Sequence, residues 1–264
     1  APQVEGVRAT ARDKGKDVVL STGVAEVRSG GDAIARDALP LDELPAVKGA
    51  RPAGAKRWYG KWEETSTARF RRREVEIVER GPVRVAARVV YEPVEKGHSY
   101  VLEVRGVAGE PWIDVVESYK LPEGTRRDVH FAEGLRPREA FWLPWFVWDG
   151  ERVRPVNDLR RITLAEKRGD RPFTTLRPRW TQARNSAQAL VAIGSEGETP
   201  PCVGVLMTSP SDWRRPYQQM PWAKAEGRDE LHLRFPMEDG ARHWAILAGG
   251  PQRFDSKGKF QHLM

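Results

Sequence analysis

The chain has little of what would cross-link it or hold it in a lipid bilayer. Its 264 residues include a single cysteine, Cys202, so no disulfide can form within the chain. No stretch approaches the roughly 18 consecutive apolar residues of a membrane-spanning helix, and the mean hydropathy is -0.60. A chain of this length removes roughly three quarters of its unfolded surface from water, so its core needs no cross-link or structural metal. These features predict a soluble globular protein.

The sequence also lacks the motifs of the commonest enzyme classes. It contains no Gly-x-Ser-x-Gly nucleophile elbow, no phosphate-binding loop, no Gly-x-Gly-x-x-Gly and no His-Glu-x-x-His. Cys202 lies between Pro201 and an apolar run, which predicts an inert buried thiol rather than a nucleophile. These absences exclude the usual nucleotide-dependent and catalytic-triad enzymes, and we expect neither a cofactor nor a metal.

The charge balance is basic. The chain has 44 Lys and Arg against 37 Asp and Glu, a formal net charge of +7. Such an excess suits an anionic partner, which can be a nucleic acid, an acidic polysaccharide or a membrane surface. The net charge alone does not distinguish among these three kinds of partner.

Glycine, proline and tryptophan are plentiful, with 24 Gly, 20 Pro and 10 Trp. This composition is typical of strands and turns. Residues 83–91 alternate with period two, because Val83, Val85, Ala87 and Val89 share one parity while the arginines occupy the other. A helix would mix the two sets on every face, so the pattern predicts a half-buried strand.

Short runs of this kind recur about every ten residues, each bounded by turn residues. Further strands are predicted at residues 74–79, 100–105, 113–121, 162–165, 173–176, 187–193, 203–207, 231–235 and 243–247. Helices are nearly absent, since Pro40 and Pro45 interrupt the one stretch of helix formers, residues 37–47. The sequence therefore predicts a mainly β protein, a large antiparallel β-sandwich with few helices, as a single domain over residues 1–264.

Two basic segments rich in Gly or Pro, residues 48–64 and 209–228, are predicted to be long functional loops. The first contains Trp58, Tyr59 and Trp62. The second combines guanidinium groups with aromatic rings, and its candidate substrate-binding residues are Trp213, Arg214, Arg215, Tyr217 and Trp222. This combination can hold the carboxylate of a uronic acid while an aromatic ring stacks on the sugar.

The densest aromatic cluster is residues 141–149, with Trp142, Trp145 and Trp148 as further candidate substrate-binding residues. Trp142 and Trp148 share one strand parity and Trp145 has the other, so we expect at least one indole near the surface. An exposed indole matches the C–H face of a sugar ring or the face of a base. The alternative is that these side chains fill a large sandwich core.

Few titratable groups are spaced as a site would require. Asp128 and His130 share one strand face and can orient a general base or supply two metal ligands, but so short a match favours a structural or merely exposed role. His98 shares its parity with Tyr100, but Tyr100 also fits a core series with alternate residues of its strand. Asp114 and Glu117 have opposite parity, so they cannot form a carboxylate pair on one regular strand.

Three sequence segments resemble parts of a known type of module. They are Asp17 to Val27, with its Thr-Gly turn, Val78 to Val89, with Gly-Pro-Val-Arg, and Val107 to Val115. Together they are similar to strands in the N-terminal modules of exo-acting rhamnogalacturonan lyases and, more loosely, in galactose-mutarotase-like supersandwiches. The matching stretches cover less than half of the chain and are scaffold motifs, so they inform the fold more than the activity.

The resemblance implies carbohydrate processing by an exported bacterial protein, secreted or periplasmic, with an acidic polysaccharide as substrate. Lyases of this kind remove the proton α to a uronate carboxylate with a Tyr, His or Lys. The candidate catalytic residues by residue type are His98, Tyr100, Tyr119 and His130. The resemblance also implies a further domain of the same polypeptide as a partner and gives no reason to expect a membrane partner. The alternatives are a non-catalytic carbohydrate-binding or interdomain scaffold domain and, third, a nucleic-acid-binding protein.

Overall fold

The chain folds as antiparallel β-sheets, which confirms the predicted mainly β class. The structure is a computed structural model, and it describes residues 10–13, 17–131, 133–143, 146–148, 153–155, 160–163, 189–194, 200–207, 222–225, 231–237 and 239–249. Within these ranges the one helical element is the short 3-10 helix Leu41–Glu43, and no helix has the length and hydropathy of a membrane span.

The largest element is a ten-stranded sheet, called here the large sheet. Its strand order is β15-β12-β16-β17-β20-β10-β9-β8-β7-β4, and neighbouring strands are antiparallel. The strands are β4 (Ala33–Pro40), β7 (Arg69–Arg80), β8 (Arg84–Pro93), β9 (Ser99–Val107), β10 (Trp112–Lys120), β12 (Pro137–Leu143), β15 (Arg160–Thr163), β16 (Ala189–Gly194), β17 (Cys202–Met207) and β20 (Asp239–Gly249).

Two four-stranded sheets form the opposite layer of the sandwich. The N-terminal sheet has the order β1-β2-β3-β5, with strands β1 (Thr10–Asp13), β2 (Asp17–Ser21), β3 (Ala25–Gly30) and β5 (Val47–Pro52). The side sheet has the order β18-β19-β11-β6, with strands β6 (Lys61–Thr65), β11 (Arg126–His130), β18 (Trp222–Ala225) and β19 (Leu231–Pro236). A separate pair joins β13 (Phe146–Trp148) to β14 (Val153–Pro155).

The main core lies between the large sheet and the two smaller sheets. The predicted alternation of β8 holds, because Val85, Ala87 and Val89 are buried in this core while Arg84 and Arg88 are exposed on the other face. The same alternation on β9 and β10 gives the large sheet an inner face towards the core and an outer face turned away from it. Side chains on the two faces therefore have very different surroundings although they come from the same strands.

Most of the predicted strands coincide with strands of the structure, among them β7 to β10, β16, β17, β19 and β20. The prediction of a long loop over residues 48–64 is wrong. These residues contribute β5 and β6, and between them Tyr59 pairs with Ala50 in an isolated bridge. Tyr59 and Trp62 are buried, so core packing overrides the Gly-, Pro- and Lys-rich composition of the segment. The strand predicted at residues 173–176 and most of segment 209–228 lie outside the described residues.

Candidate functional site

The outer face of the large sheet carries a polar pocket where strands β8, β9, β10 and β20 lie side by side. The register forms a row across them, because Arg105 lies opposite both Ala86 and Asp114, and Asp114 lies opposite Ala245. The two alanines at the ends of this row are small and buried. His243 lies opposite Val116 in the next row, which makes it a diagonal neighbour of Asp114.

These side chains surround a cavity of about 250 Å³, called here the outer pocket, with Glu79, Arg84, Arg105, Asp114 and His243 as its polar lining. The volume lies just below the roughly 300–1,000 Å³ of typical small-molecule pockets. It therefore suits a ligand about as large as one sugar residue.

Asp114 is the most perturbed acid of the outer pocket. Its carboxyl is half-buried, and this burial raises its pKa above the ordinary value although Arg105 and His243 act in the opposite direction. Directly opposed residues of antiparallel strands have Cβ atoms about 5 Å apart, and diagonal ones about 7–8 Å apart, within reach of long side chains. A carboxyl group with a raised pKa beside an imidazole is an arrangement suited to general acid and base catalysis.

The two arginines of the outer pocket differ in their partners. Arg105 donates from Nε to Oε1 of Glu103 at 2.6 Å, so part of its charge is already balanced. Arg84 is exposed, and its guanidinium makes no hydrogen bond or ion pair with the described residues. Arg84 is consequently a cation at the pocket that remains available to an anionic ligand.

The inner face of the large sheet holds the other concentration of charge, a buried cluster around Arg127 of the side sheet. Arg127 Nε donates to Glu64 Oε1 at 2.9 Å, and its Nη1 donates to Glu117 Oε2 at 3.0 Å. Its Nη2 donates to the hydroxyl of Tyr100, and its guanidinium lies 5.1 Å from the ring centre of Trp244. These contacts tie the side sheet to the large sheet through the core.

Burial and neighbouring groups act in opposite directions on the pKa values of this inner cluster. Burial lowers the pKa of Arg127, but Glu117, Tyr100 and Glu64 together outweigh this effect and hold the pKa well above its ordinary value. Burial also raises the pKa of Glu64, and the charge of Arg127 offsets this rise only in part. Because the side chains of Arg127, Glu64 and Glu117 are almost completely buried, the cluster offers no room for a ligand.

The four candidate catalytic residues do not meet in one place. Tyr100 and Tyr119 are buried neighbours on the inner face, with ring centres 6.4 Å apart, and burial raises the pKa of Tyr100 well above its ordinary value. His98 lies in the turn before β9, where its Nδ1 is 3.8 Å from Glu95 Oε2.

His130, the fourth candidate, lies on the side sheet. Its Nε2 is 3.1 Å from Glu63 Oε2, and its ring centre is 5.5 Å from that of His232. Asp128 shares the face with His130, as its parity predicts, and it accepts hydrogen bonds from Arg234 at 2.6 and 3.2 Å. No group of three or more His, Cys, Asp or Glu among the described residues is arranged to bind a metal ion.

The candidate substrate-binding residues fall largely outside the described part of the chain. This holds for Trp145, Trp213, Arg214, Arg215 and Tyr217 as whole residues. The backbones of Trp142, Trp148 and Trp222 belong to β12, β13 and β18, but their side chains are not described. The proposal that they stack on a sugar therefore stays a prediction.

Sequence reasoning missed the outer pocket, although it placed several of its parts. The opposite parity predicted for Asp114 and Glu117 is confirmed, because Asp114 lies on the outer face and Glu117 on the inner face. Cys202 is buried as predicted, and burial raises the pKa of its thiol to about 12. What the sequence does not reveal is the strand register that places His243 next to Asp114, more than 100 positions away.

No protein-family model and no curated protein matches the sequence. Among solved structures, the YidC insertase has a TM-score of 0.41 at 11% identity over 94% of this chain. The GH36 α-galactosidase AgaB from Geobacillus stearothermophilus has a TM-score of 0.40 at 11% identity over 91% of it. The chain spans 42% of the insertase and 41% of the galactosidase.

A galactose mutarotase related enzyme from Lactobacillus acidophilus is similar over 88% of this chain and 97% of its own, with a TM-score of 0.35 and 7% identity. With TM-scores of 0.35 to 0.41 and identities of 7 to 11%, these three likenesses establish neither a family nor an activity for the chain. The chain is a large antiparallel β-sandwich.

Proposed function

We propose that this chain is a carbohydrate-active module that binds an acidic, uronate-containing glycan in the outer pocket and cleaves it as a polysaccharide lyase. The observation that supports it most is the half-buried Asp114, whose pKa is raised beside His243 and two arginines in a cavity of about 250 Å³. Sugar carboxylates suit guanidinium groups, and lyase chemistry needs one base and one acid close together.

In this proposal the arginines bind and the acid–base pair reacts. Arg84 and Arg105 hold the uronate carboxylate and stabilise the negative charge that develops next to it. The Asp114 carboxylate takes the proton from the carbon α to the uronate carboxylate. The electron pair forms a carbon–carbon double bond as the neighbouring carbon–oxygen bond breaks, and the leaving oxygen takes a proton from the His243 imidazolium. The elimination needs neither water nor a redox partner.

The raised pKa of Asp114 favours this division of roles. A carboxylate with a higher pKa is a stronger base, while imidazoles as a class change their charge between about pH 5 and 8 and can donate a proton there. We therefore expect activity to fall at acidic pH as Asp114 takes up a proton, with the midpoint of this fall above the ordinary pKa range of aspartate.

The direct test is to incubate the chain with polygalacturonate and rhamnogalacturonan and to follow the ultraviolet absorbance of the unsaturated uronate product. We expect Asp114→Asn and His243→Gln each to lower the rate by about 100-fold or more, in the range of general acid and base effects. Arg88→Gln, an exposed change elsewhere on the outer face, is the matched control and should keep the wild-type rate. Product formation that survives both pocket variants would contradict the proposal.

The second candidate is a non-catalytic carbohydrate-binding or interdomain scaffold domain. It is supported by the exposed Arg84, which can hold an anionic sugar without any chemistry. Saturable binding of polygalacturonate that Arg84→Gln weakens, with no absorbing product at any pH, would favour this candidate over the lyase.

The aromatic and basic residues predicted to bind substrate in segment 209–228 remain part of the proposal. We expect the double variant Arg214→Ala/Arg215→Ala to lose affinity for anionic glycans with its thermal unfolding unchanged. Affinity electrophoresis in gels containing polygalacturonate measures this directly, and wild-type retardation of the variant would remove the Trp213–Tyr217 segment from the glycan site.

A further inference from the structure

A second surface with aromatic and basic side chains lies on the N-terminal sheet, on the side turned away from the core. It consists of Arg28, Arg51, Lys56, Arg57 and Trp58 and is called here the Trp58 surface. Lys56 and Arg57 are exposed, and Trp58 is half-buried. Because the inward face of this sheet packs on the large sheet, the Trp58 surface lies on the opposite side of the sandwich from the outer pocket.

The backbone around Trp58 is held firmly. Tyr59, the next residue, exchanges two backbone hydrogen bonds with Ala50, at 2.8 and 3.0 Å, and Gly60 N donates to Glu133 O at 3.0 Å. Trp58 also packs closely on Gly49, where an added Cβ would lie 3.2 Å from the Trp58 Cβ. The indole therefore occupies a fixed place on the sheet, unlike an aromatic side chain on a long free loop.

Two guanidinium groups accompany the indole. Arg51 lies 4.2 Å from the ring centre of Trp58. Its Nε and Nη2 both contact Oε2 of Glu26, each at 2.6 Å. Arg28 lies 5.1 Å from the same ring centre. Cation–π contacts of this kind fix the orientation of both partners.

Arg28 has unused hydrogen-bonding capacity. Its nearest carboxylate contact is Nη1 to Asp17 Oδ2 at 3.9 Å, which is too long for a hydrogen bond, and Asp17 is already engaged by Lys48 at 2.6 Å. The Arg28 Nε is buried, so a ligand can reach only the exposed part of the side chain, which keeps 33% of its surface accessible. A guanidinium beside an aromatic ring keeps its N–H groups in its own plane, where a carboxylate can accept two of them.

From this arrangement we propose that the Trp58 surface is a second binding site for an acidic polysaccharide, separate from the outer pocket. Arg28 binds a sugar carboxylate, and Trp58 provides apolar contact to the sugar ring. The exposed Lys56 and Arg57 attract the neighbouring acidic sugars of the polysaccharide. The local charge supports this choice of ligand, since three cationic side chains, Arg28, Lys48 and Arg51, share two carboxylates, Asp17 and Glu26, among the described residues. A site of this kind raises the apparent affinity of the module for a long chain through a second point of attachment.

The test is a binding titration of polygalacturonate oligomers by calorimetry with the intact chain. Arg28→Gln should weaken binding at this site about tenfold or more, the fold-change expected when a charge-assisted hydrogen bond is lost. Trp58→Leu should weaken it in the same direction. The control Arg71→Gln removes the same charge from an exposed position on β7 and should leave affinity unchanged.

The outcomes separate this site from the outer pocket. Arg28→Gln should leave the rate of product formation from short oligomers at the wild-type value, while Asp114→Asn lowers that rate by about 100-fold or more and leaves the Arg28-dependent binding intact. Equal affinities for Arg28→Gln and Arg71→Gln would overturn the second site even if the pocket is active. Single-stranded DNA that binds more tightly than polygalacturonate, with the same dependence on Arg28, would assign the surface to nucleic acid and overturn the glycan proposal.

Discussion

The two faces of the large sheet treat charged side chains in opposite ways, and strand β10 contributes to both. Glu117 points to the inner face, where Arg127 binds it at 3.0 Å and the core excludes water. Asp114, three residues earlier, points to the outer face, where it borders a cavity that is also lined by His243 and by Arg84, which has no ion pair with the described residues. Both carboxyl groups have a guanidinium nearby, Arg127 for Glu117 and Arg105 for Asp114, but of the two only Asp114 adjoins space that a ligand can occupy.

The difference shows that burial of charge by itself does not indicate a functional site. Each nitrogen of the Arg127 guanidinium has an acceptor, Glu64, Glu117 or Tyr100, and the aromatic ring of Trp244 lies against it. Such a cluster holds two sheets in one relative position and resists change. In the outer pocket the charges are only partly satisfied, which is the condition for binding something else.

Removal of Arg127 should have the largest effect on stability. In Arg127→Met the carboxylates of Glu64 and Glu117 stay buried without their cation, so we expect the free energy of unfolding to fall by about 3–5 kcal/mol. Urea denaturation followed by circular dichroism measures this. Arg105→Met, on the outer face, should change it by no more than about 1 kcal/mol, because its ion pair with Glu103 is solvent-exposed.

Similar losses for the Arg127 and Arg105 variants would show that the two faces do not differ as described. A smaller loss for Arg127→Met at low pH would support the account, since the abandoned carboxyl groups can then take up protons and become neutral.

Local side-chain direction was predictable from the sequence, whereas contacts between strands were not. The alternation around Val85 and Val89 assigned the correct face to each residue, because neighbouring side chains on a strand point in opposite directions. The same rule separated Asp114 from Glu117. It could not reveal that Arg127 binds Glu64, 63 positions away, since that contact depends on how β11 pairs with β6 and how the side sheet packs.

The outer pocket was hidden for the same reason. Its polar lining comes together only when the register aligns Arg105 with Asp114 and places His243 diagonally to Asp114. The error over residues 48–64 is different in kind. Gly, Pro and Lys suggested a loop, but the burial of Trp62 in the core stabilises β6 in spite of its surroundings in the sequence.

Glu117→Gln should have an intermediate effect. The amide keeps the shape of the side chain but removes the charge that Arg127 binds, so we expect a loss of about 1–3 kcal/mol in the free energy of unfolding. Glu64 continues to neutralise Arg127, which keeps the loss below that of Arg127→Met. A variant as stable as the wild type would indicate that Glu64 alone satisfies the guanidinium.

The smallest effect on stability and the largest on function should come from the same isosteric change on the other face of β10, Asp114→Asn. Burial raises the pKa of Asp114, so the folded chain binds this proton more tightly than the unfolded chain does. The contribution of Asp114 to the free energy of unfolding is therefore greatest below its ordinary pKa and declines as the pH rises through the raised value. Asparagine has no such dependence. The variant should match the wild type within about 0.5 kcal/mol in free energy of unfolding at neutral pH, and any difference should favour the variant as the pH rises.

Activity tests the same carboxyl group independently, because the acid limb of the wild-type rate profile should lie above the ordinary pKa range of aspartate. If Asp114→Asn destabilises the fold as much as Glu117→Gln does, Asp114 is a structural residue, and the proposal that the outer pocket is the functional site is contradicted.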